Sequence, residues 1–287
     1  MFTGSYSYTS IARIAFDPVL FIKLCVALFR ESLTSMFGKK AMRPKKLHVG
    51  VSKILILGSG LGGTYMLQRL VPTLNQNENV ETTMVSDENF FLFSPLLHEV
   101  AIGSIETRHI AYPIRRLHWR DRSNFVQARV ERIDLSDRKV ITSRGVMDFD
   151  YLDLALGSVT NIPEFNPGDR QKSNIFSLKT LNDSMQIRNQ IISVFEQANA
   201  EKDADRQKQL LTFVVSGAGY IGIQVVAELR DLVYKTLLRV YKTIDPGDVR
   251  IILIEAEPKI VAELHPKLGA YAFKCLDRMR IELKLNS

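Results

Sequence analysis

The sequence is poor in cysteine: its 287 residues include only Cys25 and Cys275. They stand far apart, so there is no Cys-x-x-Cys pair to act as a redox dithiol or to begin a metal site, and nothing points to an oxidising compartment. A long apolar run is also missing. The most hydrophobic stretch, Val19 to Phe29, is about half the ~20 residues that a bilayer-spanning helix needs, and Lys23 interrupts it. Basic excess is scarce outside the leading segment. The formal net charge is +7, and residues 1–50 alone hold eight Lys or Arg against Asp17 and Glu31. The basic balance therefore describes a terminal cluster and says little about the folded body. With no recognition motif and so short a basic stretch, nucleic acid is not expected as a partner.

Within that leading segment, Asp17-Pro18 reads as a helix N-cap with proline at the first helical position. The helix it opens carries a very wide apolar surface and is followed by the basic run Lys39 to Lys46. That combination suits a helix lying in a membrane interface, with the lysines and arginines drawn to anionic head groups. A targeting segment that is later removed, or a helix packed on the body, would look similar.

What the sequence does have is glycine in two patterned places. The continuously apolar Ile54 to Leu57 reads as a strand buried on both faces of a parallel sheet, and it runs into Gly58-x-Gly60-x-x-Gly63. Each glycine has its own reason. Gly58 permits the tight turn, Gly60 lets the backbone approach a pyrophosphate, and Gly63 lets the following helix lie close to the strand. Helical spacing follows in Tyr65, Met66, Leu67, Leu70 and Val71, so the helix N-terminus is available to phosphates. Val80 to Val85 reads as the second strand, whose tip in such a fold carries an acid for a ribose hydroxyl; here Ser86 stands there, with Asp87 beside it. Asn89 to Ala101 is too apolar and aromatic for an exposed loop and should line something flat and apolar. Ala128 to Asp134 and Lys139 to Ser143 read as hairpin strands about Ser136-Asp137, and Asp148 to Ser158 as a strand closing on Gly157.

The second half repeats the arrangement. Leu181 to Ala200 has helical spacing in Met185, Ile187, Ile191, Ile192 and Phe195, and the polar run Glu201 to Gln209 marks a boundary. Leu210 to Val215 then leads as a strand into Gly217-Ala-Gly219-Tyr-Ile-Gly222, and Arg250 to Glu255 supplies a second strand with an acid at its tip. The gap between them exceeds the usual ~20 residues, and a helical stretch from Arg230 to Thr243 accounts for the excess. Ile281 to Ser287 reads as a third strand. The expected fold class is α/β with two Rossmann-like dinucleotide-binding domains, the second incomplete. The expected organisation is a leader over 1–50, a first nucleotide domain over 51–205 and a partial second one over 206–287.

The two glycine fingerprints, the Phe91-Leu-Phe-Ser-Pro-Leu-Leu97 stretch and Tyr151 to Ser158, in this order and spacing, resemble the flavoproteins with two dinucleotide domains, and within them the type II (non-proton-pumping) NADH dehydrogenases. The resemblance implies FAD in the first domain and NADH in the second. Carried over by position, Gly58, Gly60, Leu61 and Gly63 would face the FAD pyrophosphate and Ser86 or Asp87 its ribose. Pro95 and Leu96 would lie near the isoalloxazine, Val130 would meet adenine through its backbone, and Gly157 would let the chain pass close to the flavin. Gly217, Gly219 and Gly222 would face NADH, with Glu255 on the 2′-hydroxyl of its ribose, an arrangement suited to NADH over NADPH. Gln224 stands where the family usually has a glutamate, near the meeting of flavin, nicotinamide and quinone, and glutamine cannot exchange a proton.

The implied activity passes hydride from NADH to flavin N5 and then electrons to a membrane quinone. Hydride transfer requires no side-chain acid, base or nucleophile, so no catalytic residue and no metal ligand is named. His98, His109 and His118 read as packing or surface residues. The implied partners are a quinone and, through the leader, a membrane surface; a homodimer is compatible with the family. The implied location is peripheral, on a mitochondrial inner or bacterial cytoplasmic membrane. Two other readings stand beside this one. A related flavoprotein with another acceptor, such as a sulfide:quinone reductase, needs reactive cysteines near the flavin, and Cys25 and Cys275 fall outside both fingerprints. Family members also continue past the third strand of the second domain, so a truncated, catalytically silent remnant is the other reading, with an open sheet edge and lower stability.

Overall fold

A computed structural model describes residues 51–74, 79–116, 123–160 and 174–287. The readings placed on the leader, on the side chain of Val71, on Cys25 and on His118 lie outside the described residues.

The first sheet grows around β1 (Ser52–Leu57), whose Ile56 and Leu57 are fully buried, as a strand covered on both faces requires. Gly58 turns the chain into α1 (Leu61–Leu74), which returns it to β2 (Val80–Ser86), parallel to β1 from Ser52 opposite Val80 to Leu57 opposite Val85. The apolar stretch that follows forms β3 (Phe90–Leu92), a 3₁₀ turn over Ser94–Leu96 and α2 (Leu97–Ala101), and β4 (Ala111–Pro113) pairs antiparallel with β3. After β5 (Ser123–Gln127) comes an antiparallel meander of β6 (Val130–Asp134), β7 (Lys139–Thr142) and β8 (Gly145–Asp148). Asp148 therefore ends the meander and does not start the next strand. The chain turns back at Phe149-Asp150, where the Lys53 N–H donates to the Asp150 carboxylate at 2.8 Å, and this seats β9 (Tyr151–Leu154) beside β1. The completed sheet has the order β5-β2-β1-β9, all parallel.

α3 (Leu181–Ala200) has the bounds its apolar spacing predicts, because Thr180 and Asp183 form a capping box at its start. The polar run after it is not mere linker: it contains α4 (Ala204–Leu210), capped by Asp203, whose carboxylate accepts from the Asp205 and Arg206 amides. Leu210 and Leu211 consequently leave the expected strand, and β10 spans Thr212–Ser216. α5 (Tyr220–Leu232) continues through a π-turn at Val233–Leu237 to Val240, ending short of the expected Thr243. β11 (Arg250–Glu255), α6 (Pro266–Arg278) and β12 (Glu282–Leu285) complete a parallel sheet of order β10-β11-β12.

The largest core belongs to this second sheet. Phe195 of α3 is fully buried there, stacked on the Phe213 ring at 6.1 Å and tilted against the Tyr241 ring at 5.6 Å, and Leu211, Val226 and Leu253 are as deeply covered. Burying each such side chain stabilises the fold by about 1.5–3 kcal/mol. α3 serves both sheets. Its C-terminal half carries Ile191, Phe195 and Ala198 into this core, while near its start the buried Ser184 hydroxyl donates to the Leu97 carbonyl of α2 at 3.0 Å.

Candidate nucleotide sites

The two glycine loops share one geometry. Gly58 and Gly217 have φ of +104° and +97°, backbone that favours glycine, and each hangs from the neighbouring strand by its own N–H, donated to the Val85 carbonyl at 2.7 Å and to the Ile254 carbonyl at 2.8 Å. The third glycine of each loop packs on the first: a Cβ on Gly63 would lie 2.0 Å from the Gly58 oxygen, and one on Gly222 would lie 1.8 Å from the Gly217 oxygen. The middle glycines differ. Around an added Cβ at Gly60 or Gly219 there is nothing within 4 Å. The folded chain makes no demand for glycine there, so the bare backbone faces open space before a helix N-terminus, where an anion is favoured.

In front of the first loop lies a cleft of about 320 Å³. Gly58, Ser59 and Gly60 form its floor; Ser86, Asp87 and Glu88 stand at one side with Ala128, Arg129 and Val130; Leu156, Gly157 and Lys179 stand at the other; and Phe90 and Leu92 add an apolar wall. Of the residues picked from sequence, Gly58, Gly60, Ser86, Asp87, Val130 and Gly157 line this cleft. Leu61 and Gly63 lie behind the floor in the first turn of α1. Pro95 and Leu96 do not reach it; they sit on the 3₁₀ turn, with Leu96 packed against the cluster of Leu97, Val100 and Ile110. The Asn89 to Ala101 stretch does furnish an apolar wall, but through Phe90 and Leu92, because β3 pairs with β4 and turns those residues toward the loop.

The position of the missing acid is occupied in a specific way. Ser86 is buried, and its hydroxyl oxygen accepts from the Ser59 hydroxyl at 2.9 Å and from the Glu88 N–H at 3.3 Å. Ser86 therefore ties β2 to the glycine loop, while its own proton remains to be donated. Asp87 is exposed at the rim, its Oδ1 accepting from the Glu88 N–H at 3.0 Å. Glu88, Arg129 and Lys179 are cleft residues that sequence reading missed; nothing local marks them, since only the folding of β5, β6 and the start of α3 brings the two cations there.

At the second loop, Glu255 stands at the tip of β11, where the sequence placed an acid. Its Oε1 accepts from the Glu257 N–H at 3.1 Å and its Oε2 from the Ala218 N–H at 2.5 Å, and these backbone bonds hold its carboxyl below the usual glutamate range. The carboxylate is ionised at neutral pH and has lone pairs beyond those these two bonds use. Val261 supports the same loop from behind: buried, with φ of +40°, it donates its N–H to the Ala218 carbonyl at 2.9 Å. For a β-branched residue that φ is strained backbone. Gln224 is half-buried in the first turns of α5.

Away from both loops, α2 and α5 meet through a charged contact. The buried His98 Nε2 lies 3.3 Å from Glu228 Oε1, with Glu99 close by. Burial, then the Glu228 charge, pushes the Glu99 carboxyl up from its ordinary range. His98 is buried between α2 and α5 beside these two carboxylates, and His109 is exposed on a 3₁₀ turn.

The profile of the pyridine nucleotide-disulphide oxidoreductase family matches residues 52–287. Among curated proteins, the chain is 32% identical over 250 residues to the type II NADH:quinone oxidoreductase NdhA of Mycobacterium tuberculosis, covering 83% of this chain and 50% of that protein. It is 33% identical over 249 residues to the mitochondrial external alternative NAD(P)H-ubiquinone oxidoreductase B2 of Arabidopsis thaliana, covering 82% and 41%. Among solved structures, NDH2 of Plasmodium falciparum in complex with NADH superimposes with a TM-score of 0.70 at 23% identity, over 82% of this chain and 48% of the other. The sulfide:quinone oxidoreductase of Aquifex aeolicus gives a TM-score of 0.61 at 19% identity, over 82% and 51%. The chain spans about half the length of the curated relatives it matches.

Proposed function

The chain belongs to the pyridine nucleotide-disulphide oxidoreductase family, and from that premise we propose that it acts as an FAD-dependent NADH:quinone oxidoreductase. The observation that carries the proposal is the pair of loops of one geometry, each leaving its middle glycine bare before a helix N-terminus, with an ionised Glu255 beside the second. The curated relatives, named for NADH or NAD(P)H and a quinone, support the choice of substrates.

The first cleft fits FAD in its donor set: a Cβ-free floor for a pyrophosphate, the Ser86 hydroxyl and the Asp87 carboxylate for a ribose, and an apolar wall from Phe90 and Leu92. Bound there, the flavin supplies the two-electron chemistry. The residues of the chain bind and orient. Gly60 would hold phosphate oxygens on its backbone N–H, Gly58 making the turn that presents it, with its own N–H engaged by the Val85 carbonyl; Gly157 leaves the ring side of the cleft free of side chain, and Phe90 with Leu92 keeps water away. In the second domain Gly219 lets the NADH pyrophosphate approach, and Glu255 accepts from the ribose 2′-hydroxyl while repelling a 2′-phosphate. Gln224 can hydrogen-bond but cannot exchange a proton where the family usually has a glutamate.

The acceptor is a quinone, and the protein works at a membrane surface that the basic leader contacts, on a mitochondrial inner or bacterial cytoplasmic membrane, as a monomer or homodimer. Among the described residues no helix is long and apolar enough to cross a membrane, which fits peripheral attachment. Cys275, the free cysteine among the described residues, lies on α6 beside the second sheet, so among the described residues no thiol supports the sulfide reading. An anaerobic NADH titration followed at the flavin band near ~450 nm tests the proposal. Bleaching that a soluble quinone reverses is the expected result; a preparation that holds no flavin and takes up none from added FAD overturns it.

A further inference from the structure

The strand order β5-β2-β1-β9 gives the first cleft two distinct ends. The ribose position of such a fold follows β2, so the adenosine half of a dinucleotide lies toward β2 and β5, beside Ser86, Asp87 and Arg129. Past the α1 N-terminus the cleft continues to the β9 side, where Leu156, Gly157 and Lys179 line it. On the FAD reading above, on which this inference rests, that second end receives the redox ring.

We propose that Lys179 is a positioning residue for the flavin's charge: its ammonium stands at the ring end of the cleft and favours the reduced, more negative form. Three features of the structure support this. The ammonium donates to the Ser158 hydroxyl at 2.9 Å, a neutral partner, and among the described residues no carboxylate pairs with it. Its charge is therefore directed by a hydrogen bond without being cancelled. Its backbone is fixed as well, since the Lys179 and Thr180 N–H groups both donate to Asp183 Oδ2 at 2.9 Å. Finally, the carboxylates lining the cleft, Asp87 and Glu88, are at the opposite end, after β2. A ring filling the cleft would exclude water around Lys179, and the lower effective dielectric would strengthen its action on any charge the ring gains.

The test uses the full chain loaded with FAD and its Lys179→Met and Lys179→Arg variants. FAD affinity is measured by quenching of flavin fluorescence, and midpoint potential by anaerobic equilibration with a reference dye. The expected result for Lys179→Met is a tenfold shift of the oxidised-to-reduced ratio toward oxidised flavin, which is about 30 mV lower for a two-electron couple. Lys179→Arg should restore most of that shift. Lys179 is exposed, so neither variant should change the melting temperature of the apoprotein. A Lys179→Met potential equal to wild type overturns the inference while leaving the FAD reading intact. So does a loss of FAD affinity with no change in potential, which would assign the ammonium to the phosphates. Failure of the wild-type chain to take up FAD overturns both.

Discussion

The glycines of the two fingerprints separate into those the fold needs and those only a ligand needs, and alanine substitution should divide them cleanly. At Gly63 an added Cβ would fall 2.0 Å from the Gly58 carbonyl oxygen and 3.2 Å from Ile56 Cγ2. At Gly222 it would fall 1.8 Å from the Gly217 oxygen. The nearest obstacle at each position is a backbone carbonyl oxygen, so no rotamer change relieves it. α1 or α5 would have to retreat from its sheet by more than an ångström, losing contact with fully buried residues such as Ile56 or Leu253. Overpacking of this kind costs about 1–3 kcal/mol, and the upper end applies where nothing can yield. For a domain of this size ~3 kcal/mol corresponds to a fall of roughly 6–12 °C in melting temperature. Gly60 and Gly219 present the opposite case, with open space around the new methyl and no positive φ. Gly60→Ala and Gly219→Ala should therefore melt within a degree or two of wild type, because a change that touches nothing stays within about 0.5 kcal/mol. Gly60→Ala should nonetheless lose at least tenfold in FAD affinity, about 1.4 kcal/mol, and Gly219→Ala should do the same for NADH. Thermal unfolding of the apoproteins and flavin fluorescence titration measure the two effects separately. Gly63→Ala melting with wild type, or Gly60→Ala binding FAD at full strength, would refute the reasoning.

Glu255→Gln should weaken NADH about tenfold and narrow the preference over NADPH, because the amide accepts fewer hydrogen bonds and no longer repels a 2′-phosphate; dissociation constants for the two nucleotides decide it. Asp183→Asn should cost about 1 kcal/mol at pH 7 through the lost capping box, read as a shift in urea midpoint. Partial burial opposes ionisation of Asp183, but hydrogen bonds from Thr180 and Lys179 outweigh it and hold the carboxyl below its ordinary range. Its contribution is thus full above the unfolded pKa, near ~3.9, and disappears as pH falls through the lower folded value, so the two proteins should converge in strong acid; an undiminished gap there would contradict the assignment. Glu228→Ala leaves His98 buried without its partner across the α2–α5 contact and should destabilise by about 1–3 kcal/mol. Glu228→Gln, which keeps an acceptor, should cost less; equal midpoints for the two variants would show that the contact is packing alone.

How much of this was legible beforehand depends on how local each cause is. β1, β11 and the two loops could be read directly, because a buried parallel strand needs an unbroken apolar run, and because the Gly58 and Gly217 turns and the Gly63 and Gly222 contacts involve residues a few positions apart. The limits of α3 were legible from its apolar spacing, which also acts between residues a few positions apart. Other features needed the chain to come together. Ser86 could be read as a candidate ribose ligand, but that its hydroxyl oxygen also accepts from Ser59, 27 positions away, needed the fold. That Phe90 and Leu92 face the cleft while Pro95 and Leu96 sit on the following 3₁₀ turn depends on the pairing of β3 with β4. The polar run after α3 offered no apolar stripe, and its helix exists because Asp203 caps it and the Gln207 amide reaches back to the Ala198 carbonyl. Lys179 carries no local signal of any kind; only the return of β9 to β1 and the docking of α3 set its ammonium beside Ser158. The sequence alone thus determined where the backbone must turn tightly and where it must be buried, since those constraints act between near neighbours. Which side chains face the cleft was decided by tertiary structure, because that depends on strand pairing and helix docking between residues far apart in the chain.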